Sequence, residues 1–184
     1  MKLYVIRHGE TVYNLQKKIQ GQIENSLTEK GIAQSHNVKK VLKDVKIDEI
    51  ICSPLERTKY LAEVINEGRN LQIKVDSRIT ERSYGELEGK KPTGLNFESF
   101  WKLSSDLDKE CKKNHVETLH DFFNRVQDFL EECEKNYKDK NICVVTHSGI
   151  SIAIEYYFNK NSEDLLKLRM DNGEIKVYER GKNV

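Results

Sequence analysis

The stretch that decides the fold lies at the start of the chain: Leu3-Tyr4-Val5-Ile6-Arg7-His8-Gly9-Glu10-Thr11. Its apolar run predicts a β-strand, and reactive side chains follow where the strand ends. The same order recurs twice. Ile47–Cys52 predicts a second strand, and Arg57 lies one turn into the helix that follows it. Ile142–Val145 predicts another strand, which ends at Thr146-His147-Ser148-Gly149.

Apolar runs alternate with amphipathic stretches along the chain. This alternation predicts an α/β fold, a three-layer αβα arrangement with a mainly parallel central sheet. Ligands of such sheets bind beyond the carboxyl ends of the strands, so we expect Arg7, His8, Arg57 and His147 to share one pocket. Guanidinium groups match phosphate oxygens in pairs, and histidine can carry a phosphoryl group. The pattern therefore predicts a phosphate site.

Local signals predict the remaining elements. Thr28 is a candidate N-cap for the helix that follows it, and Ile73–Val75 reads as a short third strand. Ser53-Pro54-Leu55-Glu56 matches a capping box with proline at the first helical position, which predicts a helix start at Ser53. A 3.6-residue apolar period over Leu119–Cys133 predicts an amphipathic helix.

Two further segments are interpreted from their turn residues. Asp171-Asn172-Gly173 predicts a hairpin turn between strands at Leu168–Met170 and Ile175–Tyr178. Residues from about 90 to 116 are polar and contain Pro92, so we interpret them as a helical or loop insert over the active site. The aromatic residues of this insert are Phe97, Phe100 and Trp101. They indicate either an apolar, ring-bearing leaving group or a small core within the insert.

Composition narrows the class of protein. The 184 residues are 37% hydrophobic and 33% charged, which fits one globular domain over residues 1–184. Lys and Arg number 31 against 30 Asp and Glu, so no basic excess supports nucleic-acid binding. Apolar runs are too short for a membrane span or signal peptide, which predicts a cytoplasmic protein. Four cysteines without Cys-x-x-Cys spacing predict no metal site.

Other phosphate-binding loops are absent from the sequence. Gly85-Glu86-Leu87-Glu88-Gly89-Lys90-Lys91 is one residue short of a Walker loop, lacks the Ser or Thr, and carries two carboxylates. No Gly-x-Gly-x-x-Gly occurs, so a dinucleotide site has no fingerprint. The sequence therefore predicts no nucleotide cofactor.

Several motifs together resemble the histidine phosphatase superfamily, which has the phosphoglycerate mutase-like fold. The first is Arg7-His8-Gly9-Glu10-Thr11 with Asn14. The others are Ser53-Pro54-Leu55-Glu56-Arg57, Glu81-Arg82-Ser83-Tyr84-Gly85-Glu86-Leu87-Glu88-Gly89 and Val144-Val145-Thr146-His147-Ser148-Gly149. They keep the family's order and spacing over about residues 2–180.

The resemblance implies a two-step phosphoryl transfer without a metal or other cofactor, as in histidine acid-type phosphatases. His8 would be the nucleophile that carries the phosphohistidine. Glu81 would protonate the leaving alcohol and then deprotonate water. The phosphoryl oxygens would be held by Arg7, Arg57 and His147, with Asn14 helping and the backbone N–H of Ser148 available. Gln20 and Gly21 either border the phosphate or form a turn.

The choice between phosphatase and mutase rests on a second cationic site. A mutase holds a bisphosphorylated sugar acid, yet no arginine occurs between Ser83 and Asn124. Lysines are present there, but lysine is a poorer bidentate ligand. We therefore favour the phosphatase branch, a phosphomonoester hydrolase acting on a small phosphorylated metabolite. A cofactor-dependent phosphoglycerate mutase is the alternative, and a non-catalytic phosphate-binding regulatory module is a second one. The substrate and the oligomeric state stay open.

Overall fold

A five-stranded sheet forms the centre of the computed structural model, which describes residues 1–93, 97–102, 109, 111–112, 115–160 and 164–179. The strands are β1 (Lys2–Arg7), β2 (Glu49–Cys52), β3 (Ile73–Val75), β4 (Asn141–Thr146) and β5 (Ile175–Glu179). Their order is β3-β2-β4-β1-β5. The first four are parallel to one another, and β5 runs antiparallel to β1.

Helices cover both faces of this sheet. They are α1 (Val12–Leu15), α2 (Glu29–Leu42), α3 (Glu56–Asn66), α4 (Leu119–Asn136) and α5 (Ser148–Asn159). Short 3₁₀ segments occur at Ser77–Ile79, Gly85–Leu87, Phe97–Trp101 and Leu165–Leu168. No helix within the described ranges is both long and apolar enough to cross a bilayer.

The strands alternate their side chains between two buried layers. Ile142 and Val144 of β4 pack in the same cluster as α4 and α5, whereas Cys143 and Val145 pack in the cluster of α2 and α3. Both faces of β4 are therefore apolar, which is why its sequence does not alternate. The predicted three-layer αβα class with a mainly parallel sheet is confirmed.

The predicted hairpin is wrong, although its turn exists. The segment Leu165–Leu168 is a 3₁₀ helix, and β5 pairs with β1 along the whole of Ile175–Glu179. Glu174 N donates to the carbonyl of Asp171 at 3.1 Å, and Gly173 has a φ of +76°. β5 therefore pairs with β1, which is distant in the sequence, and not with the predicted strand at Leu168–Met170.

The two predicted helix caps have different outcomes. The Thr28 side chain accepts a hydrogen bond from Gly31 N at 3.1 Å, so this cap is confirmed. The cap at Ser53 is wrong because α3 begins at Glu56, and Leu55 is its N-cap without a side-chain hydrogen bond. Ser53 has a different partner, described with the site.

The insert shares a core with the sheet. Phe100, Trp101, Cys111 and Val116 are buried in the same cluster as Val144 of β4. We infer from this shared core that the insert belongs to a single domain. The parts of the predicted insert at residues 94–96, 103–108, 110 and 113–114 lie outside the described residues.

Two glycines let the loop after β1 lie directly on the first turn of α2. A Cβ built on Gly31 would lie well under 3.0 Å from the carbonyl oxygen of Glu10, and one on Gly9 would meet the Gly31 carbonyl equally closely. Neither contact partner is a flexible side chain, so the backbone itself would have to move. This approach fixes the backbone next to His8, just beyond the carboxyl end of β1.

Replacing Gly31 with alanine should destabilise the protein, although helix propensity alone predicts that it would stabilise it. Alanine in a helix gains about 1 kcal/mol over glycine. Because its Cβ would collide with the Glu10 carbonyl, we expect Gly31→Ala to lower the free energy of unfolding by about 1–3 kcal/mol in urea titrations. Asn37→Ala on the exposed face of α2 is the control and should be neutral or slightly stabilising. A Gly31→Ala protein more stable than the wild type would contradict the close approach.

Candidate active site

The carboxyl ends of β1, β4 and β2 meet at a pocket of about 420 Å³. His8 N donates to the Thr146 carbonyl at 3.0 Å, and Ser53 N donates to the Val145 carbonyl at 3.2 Å. These bonds extend the parallel register beyond the strands. The predicted site residues that line the pocket are Arg7, His8, Asn14, Gln20, Gly21, Arg57, Glu81 and Ser148. His147 is fully buried and does not face the open space.

His8 presents one ring nitrogen to a ligand. Its Nδ1 lies 2.7 Å from the carbonyl oxygen of Gly9, and a carbonyl can only accept, so Nδ1 carries a proton. In the neutral ring the lone pair is then on Nε2. His8 is only 3% exposed, and burial together with the charges of Arg57 and Arg7 holds its pKa well below 6.5. At neutral pH His8 therefore has the form that a nucleophile requires.

Arg57 is held by backbone carbonyls of the loop after α1. Its Nη2 donates to the Gly21 carbonyl at 2.7 Å and its Nη1 to the Ile23 carbonyl at 3.1 Å. The Gln20 amide oxygen accepts from Arg57 Nε at 2.9 Å, while its nitrogen donates to Thr11 Oγ1 at 2.8 Å. Burial lowers the pKa of Arg57 to about 10, which still leaves it charged. Gln20 and Gly21 thus form the support of Arg57.

Arg7 approaches the pocket from β1. Its Nη1 donates to the Met170 carbonyl at 2.6 Å. Its Nε is buried and has no hydrogen-bond partner among the residues that the structure describes. Burial lowers the pKa of Arg7, but the group stays a cation at neutral pH. A buried N–H group that lacks a partner and belongs to a pocket-lining residue is suited to donate a hydrogen bond to an anionic oxygen.

His147 lies behind His8 and is held by Ser53. The two imidazole centroids are 5.2 Å apart in an edge-to-face arrangement. His147 Nε2 lies 2.7 Å from Ser53 Oγ, and Nδ1 is buried without a partner in the described part of the chain. Burial and the charge of Arg57 lower the pKa of His147 well below 6.5. Ser53, predicted as a helix cap, therefore positions a histidine instead.

Glu81 is fixed at the N-terminus of α5. Its Oε2 accepts from Gly149 N at 3.0 Å and its Oε1 from Arg82 N at 2.8 Å. A Cβ at position 149 would collide with the Glu81 carboxylate, so glycine is required for this approach. The carboxylate lines the same pocket as His8. It is therefore placed for proton transfer at a ligand bound there.

A second layer of contacts fixes the backbone of this carboxylate. The Glu81 carbonyl accepts from Gln22 Nε2 at 2.9 Å and from Arg125 Nη2 at 3.3 Å. Arg125 also makes a paired contact with the Glu117 carboxylate at 2.6 and 2.9 Å. The same carboxylate also accepts from Ser83 N, which donates to Oε2 at 3.1 Å. The segment after Glu81 is thus tied to the start of α4.

Asn172 is a site residue that the sequence analysis missed. Its Nδ2 donates to the His8 carbonyl at 3.0 Å and contacts Asn14 Oδ1 at 3.3 Å. Asn14 Oδ1 also accepts from Thr11 N at 3.1 Å. The sequence predicts a turn at Asn172 but not its position in the fold. The antiparallel pairing of β5 with β1 brings that turn beside His8.

Further cations line the pocket outside the insert. Lys17 and Lys18 follow α1, and Arg169 precedes the turn before β5. Burial is the main cause of the lowered pKa of Arg7, and the positive charge of the nearby Arg169 lowers it further. These three cations lie outside residues 83–124, the segment whose lack of arginine favoured a phosphatase over a mutase. The structure therefore removes that particular objection to a substrate with two anionic groups.

No metal-binding constellation stands out in the ranges that the structure describes. Within them no group of three or more His, Cys, Asp or Glu side chains is close enough together to hold a metal ion. The positive charge in the pocket comes from arginine and lysine side chains.

The fold and the site define a class: an αβα protein whose parallel strands end at a pocket lined by arginine and lysine side chains and a buried histidine. A model of the histidine phosphatase superfamily (branch 1) matches residues 3–183. The chain belongs to this superfamily, and the resemblance stated from its motifs is confirmed.

Relatives within the superfamily have differing names. The chain is 30% identical to "Probable phosphoglycerate mutase GpmB" of Erwinia tasmaniensis, over 92% of this chain and 81% of that protein. It is 29% identical to the adenosylcobalamin/alpha-ribazole phosphatase of Escherichia coli, over 94% and 87%. Among solved structures, Bacillus stearothermophilus YhfR matches with a TM-score of 0.85 and 25% identity, over 97% of this chain and 90% of that one. Membership of the superfamily, together with the relative named as a phosphatase, is consistent with phosphatase activity.

Proposed function

We propose that the chain is a phosphomonoester hydrolase of the histidine acid type, which acts on a small phosphorylated metabolite without a metal ion. One observation about His8 carries this proposal. Its Nδ1–H donates to the Gly9 carbonyl, so Nε2 keeps a free lone pair, and the residue lines a pocket with Arg7 and Arg57. Phosphoryl transfer requires positioning and charge stabilisation, and this pocket offers both.

The first step transfers the phosphoryl group to the protein. His8 Nε2 attacks phosphorus, an N–P bond forms, and the ester P–O bond breaks. The leaving oxygen takes a proton from the carboxylic acid of Glu81. Arg7 and Arg57 stabilise the charge on the equatorial oxygens. His147 lies behind His8 with no exposed surface, so a direct contact with the phosphoryl group requires its neighbours to shift.

The second step hydrolyses the phosphohistidine. Glu81, now a carboxylate, accepts a proton from water while the water oxygen attacks phosphorus. The N–P bond breaks and inorganic phosphate leaves. Both steps need the Glu81 carboxyl group beside the reacting oxygen, first as the acid and then as the carboxylate. Hydrogen bonds from the backbone N–H groups of Gly149 and Arg82 support this role because they restrict the position of the carboxyl group.

Glu81→Gln tests the acid role directly. The amide cannot donate a transferable proton, so alkyl phosphates with poor leaving groups should react about 10²–10⁴-fold more slowly. Esters of acidic phenols should lose much less in the first step, because their leaving groups need no proton. The measurement is single-turnover release of alcohol or phenol from a series of esters, in the presence of a chelator.

The matched control is Glu86→Gln. Glu86 belongs to the same loop, is mostly exposed and pairs with His115 at 3.4 Å. This variant should keep the wild-type rates for every ester. Equal slowing of activated and unactivated esters by Glu81→Gln would argue against the acid role. Loss of all turnover on chelation would contradict metal independence, and no turnover of any ester would favour the phosphate-binding module.

A cofactor-dependent mutase is the second candidate, and the cations Lys17, Lys18 and Arg169 at the pocket support it. They would suit a second phosphate or a carboxylate on the substrate. Interconversion of phosphoglycerates in the presence of bisphosphoglycerate, faster than release of inorganic phosphate, would favour the mutase over the hydrolase.

A further inference from the structure

Apolar side chains form one part of the pocket. We call Tyr84, Phe97 and Trp101 the aromatic wall. The rings of Tyr84 and Phe97 are 5.1 Å apart, and Trp101 meets Phe122 of α4 edge-to-face at 6.0 Å. Aliphatic side chains also line the space, namely Ile19, Ile152 and Leu166. The wall is therefore continuous with the phosphoryl site and anchored to the core of the protein.

Arg82 lies behind this wall and is completely buried. Its Nε and Nη2 donate to the Glu117 carbonyl at 3.0 and 2.8 Å, and Nη1 donates to the Phe100 carbonyl. Nη2 also lies 3.6 Å from Cys111 Sγ. One guanidinium thus joins the start of α4 to two parts of the insert.

The same guanidinium contacts two rings of the wall. Its carbon lies 5.2 Å from the Trp101 centroid and 5.7 Å from that of Tyr84. No carboxylate pairs with Arg82 among the described residues. Its charge is therefore compensated by ring faces and carbonyl oxygens, a geometry that lysine cannot reproduce because it lacks the planar fork.

We infer that the aromatic wall is a leaving-group subsite for an aromatic or apolar ring, and that Arg82 is the positioning residue that holds it. The inference rests on the proposed function, since the ring would be carried by the alcohol of the phosphomonoester. A polyhydroxylated leaving group would lose hydrogen bonds to water against these side chains, whereas an apolar ring gains from burial. Burial of one ring corresponds to a preference of about 10- to 100-fold.

Binding of phosphonates tests the subsite without any reaction. Trp101 is the single tryptophan of the chain, so its fluorescence reports on the wall directly. Benzylphosphonate and ethylphosphonate share the anionic group and differ in the ring. We expect benzylphosphonate to quench Trp101 and to bind about 10- to 100-fold more tightly, with Kd values for both taken from competition with a chromogenic ester or from calorimetry.

Arg82→Lys tests the positioning role. It should reduce the benzyl-to-ethyl preference by at least about fivefold and shift the Trp101 emission towards that of an exposed indole. Inorganic phosphate should bind within about twofold of its wild-type Kd, because Arg7 and Arg57 are unchanged. Arg69→Lys is the matched control, since Arg69 Nη1 donates to the Val45 carbonyl at 2.9 Å and Nε to the Ile65 carbonyl at 3.0 Å. Arg69→Lys should change neither the benzyl-to-ethyl preference nor the Trp101 emission spectrum.

The outcomes separate this inference from the proposed function. Equal Kd values for the two phosphonates in the wild type overturn the subsite, whether or not esters are hydrolysed. A wild-type preference that survives in folded Arg82→Lys overturns the role of Arg82. If Arg82→Lys does not fold, Phe97→Ala replaces it, and an unchanged preference there overturns the subsite. A clear preference without ester hydrolysis supports the subsite and contradicts only the proposed function.

Discussion

His8→Ala should lower kcat/KM for a chromogenic aryl phosphate by at least about 10³-fold. The variant removes the atom that forms the N–P bond, and neither Arg7 nor Arg57 can replace it as a nucleophile. The fold should be retained, because the imidazole makes one short bond to the carbonyl of its own neighbour, Gly9. Thermal unfolding of the variant, measured beside its rate, separates loss of chemistry from loss of structure.

A trapping experiment makes this expectation specific to a covalent intermediate. Wild-type protein quenched during turnover of a ³²P-labelled ester should retain an acid-labile, alkali-stable label, and His8→Ala should retain none. His36→Ala is the matched control, because His36 is exposed on α2, and it should be labelled like the wild type. Label on His8→Ala, or a rate near that of the wild type, would remove His8 from the mechanism.

Much of the fold follows from local sequence patterns. The apolar runs at β1, β2 and β4 become neighbouring parallel strands, and the reactive residues at their ends come together for that reason. The cap at Thr28 also follows from a local pattern, since its hydrogen bond lies within one helical turn. Where an element is set by contacts within a few residues, the sequence alone predicts it.

Contacts between distant segments account for the errors. Ser53 satisfies every local rule for a helix cap, yet its hydroxyl bonds His147, 94 residues away. The strand expected before Asn172 does not form because β1 offers a longer partner edge to β5. Arg169 reaches the pocket by the same pairing. Such competition between local preference and tertiary contacts is expected to be strongest at functional sites.

Arg57→Lys should lower kcat/KM by about 10²–10³-fold, the effect typical of removing one preorganised donor from a transition-state site. Arg57 is 2% exposed, and its guanidinium is held by the carbonyls of Gly21 and Ile23 and by the amide of Gln20. These contacts leave one N–H of Nη2 for a phosphoryl oxygen. A lysine keeps the charge but cannot hold the carbonyls and reach the ligand together.

Stability should change as well, so a control with the same structural loss is needed. Unsatisfied carbonyls at Gly21 and Ile23 should cost about 1–3 kcal/mol of unfolding free energy. Arg69→Lys exposes a similar set of carbonyls, at Leu42, Val45 and Ile65, far from the pocket. We therefore expect both variants to unfold more easily in urea, but only Arg57→Lys to lose activity and affinity for inorganic phosphate. If Arg69→Lys lost as much activity as Arg57→Lys, the loss would come from lower stability. If the kcat/KM of Arg57→Lys stayed within threefold of the wild-type value, the guanidinium would not contact the transferred group.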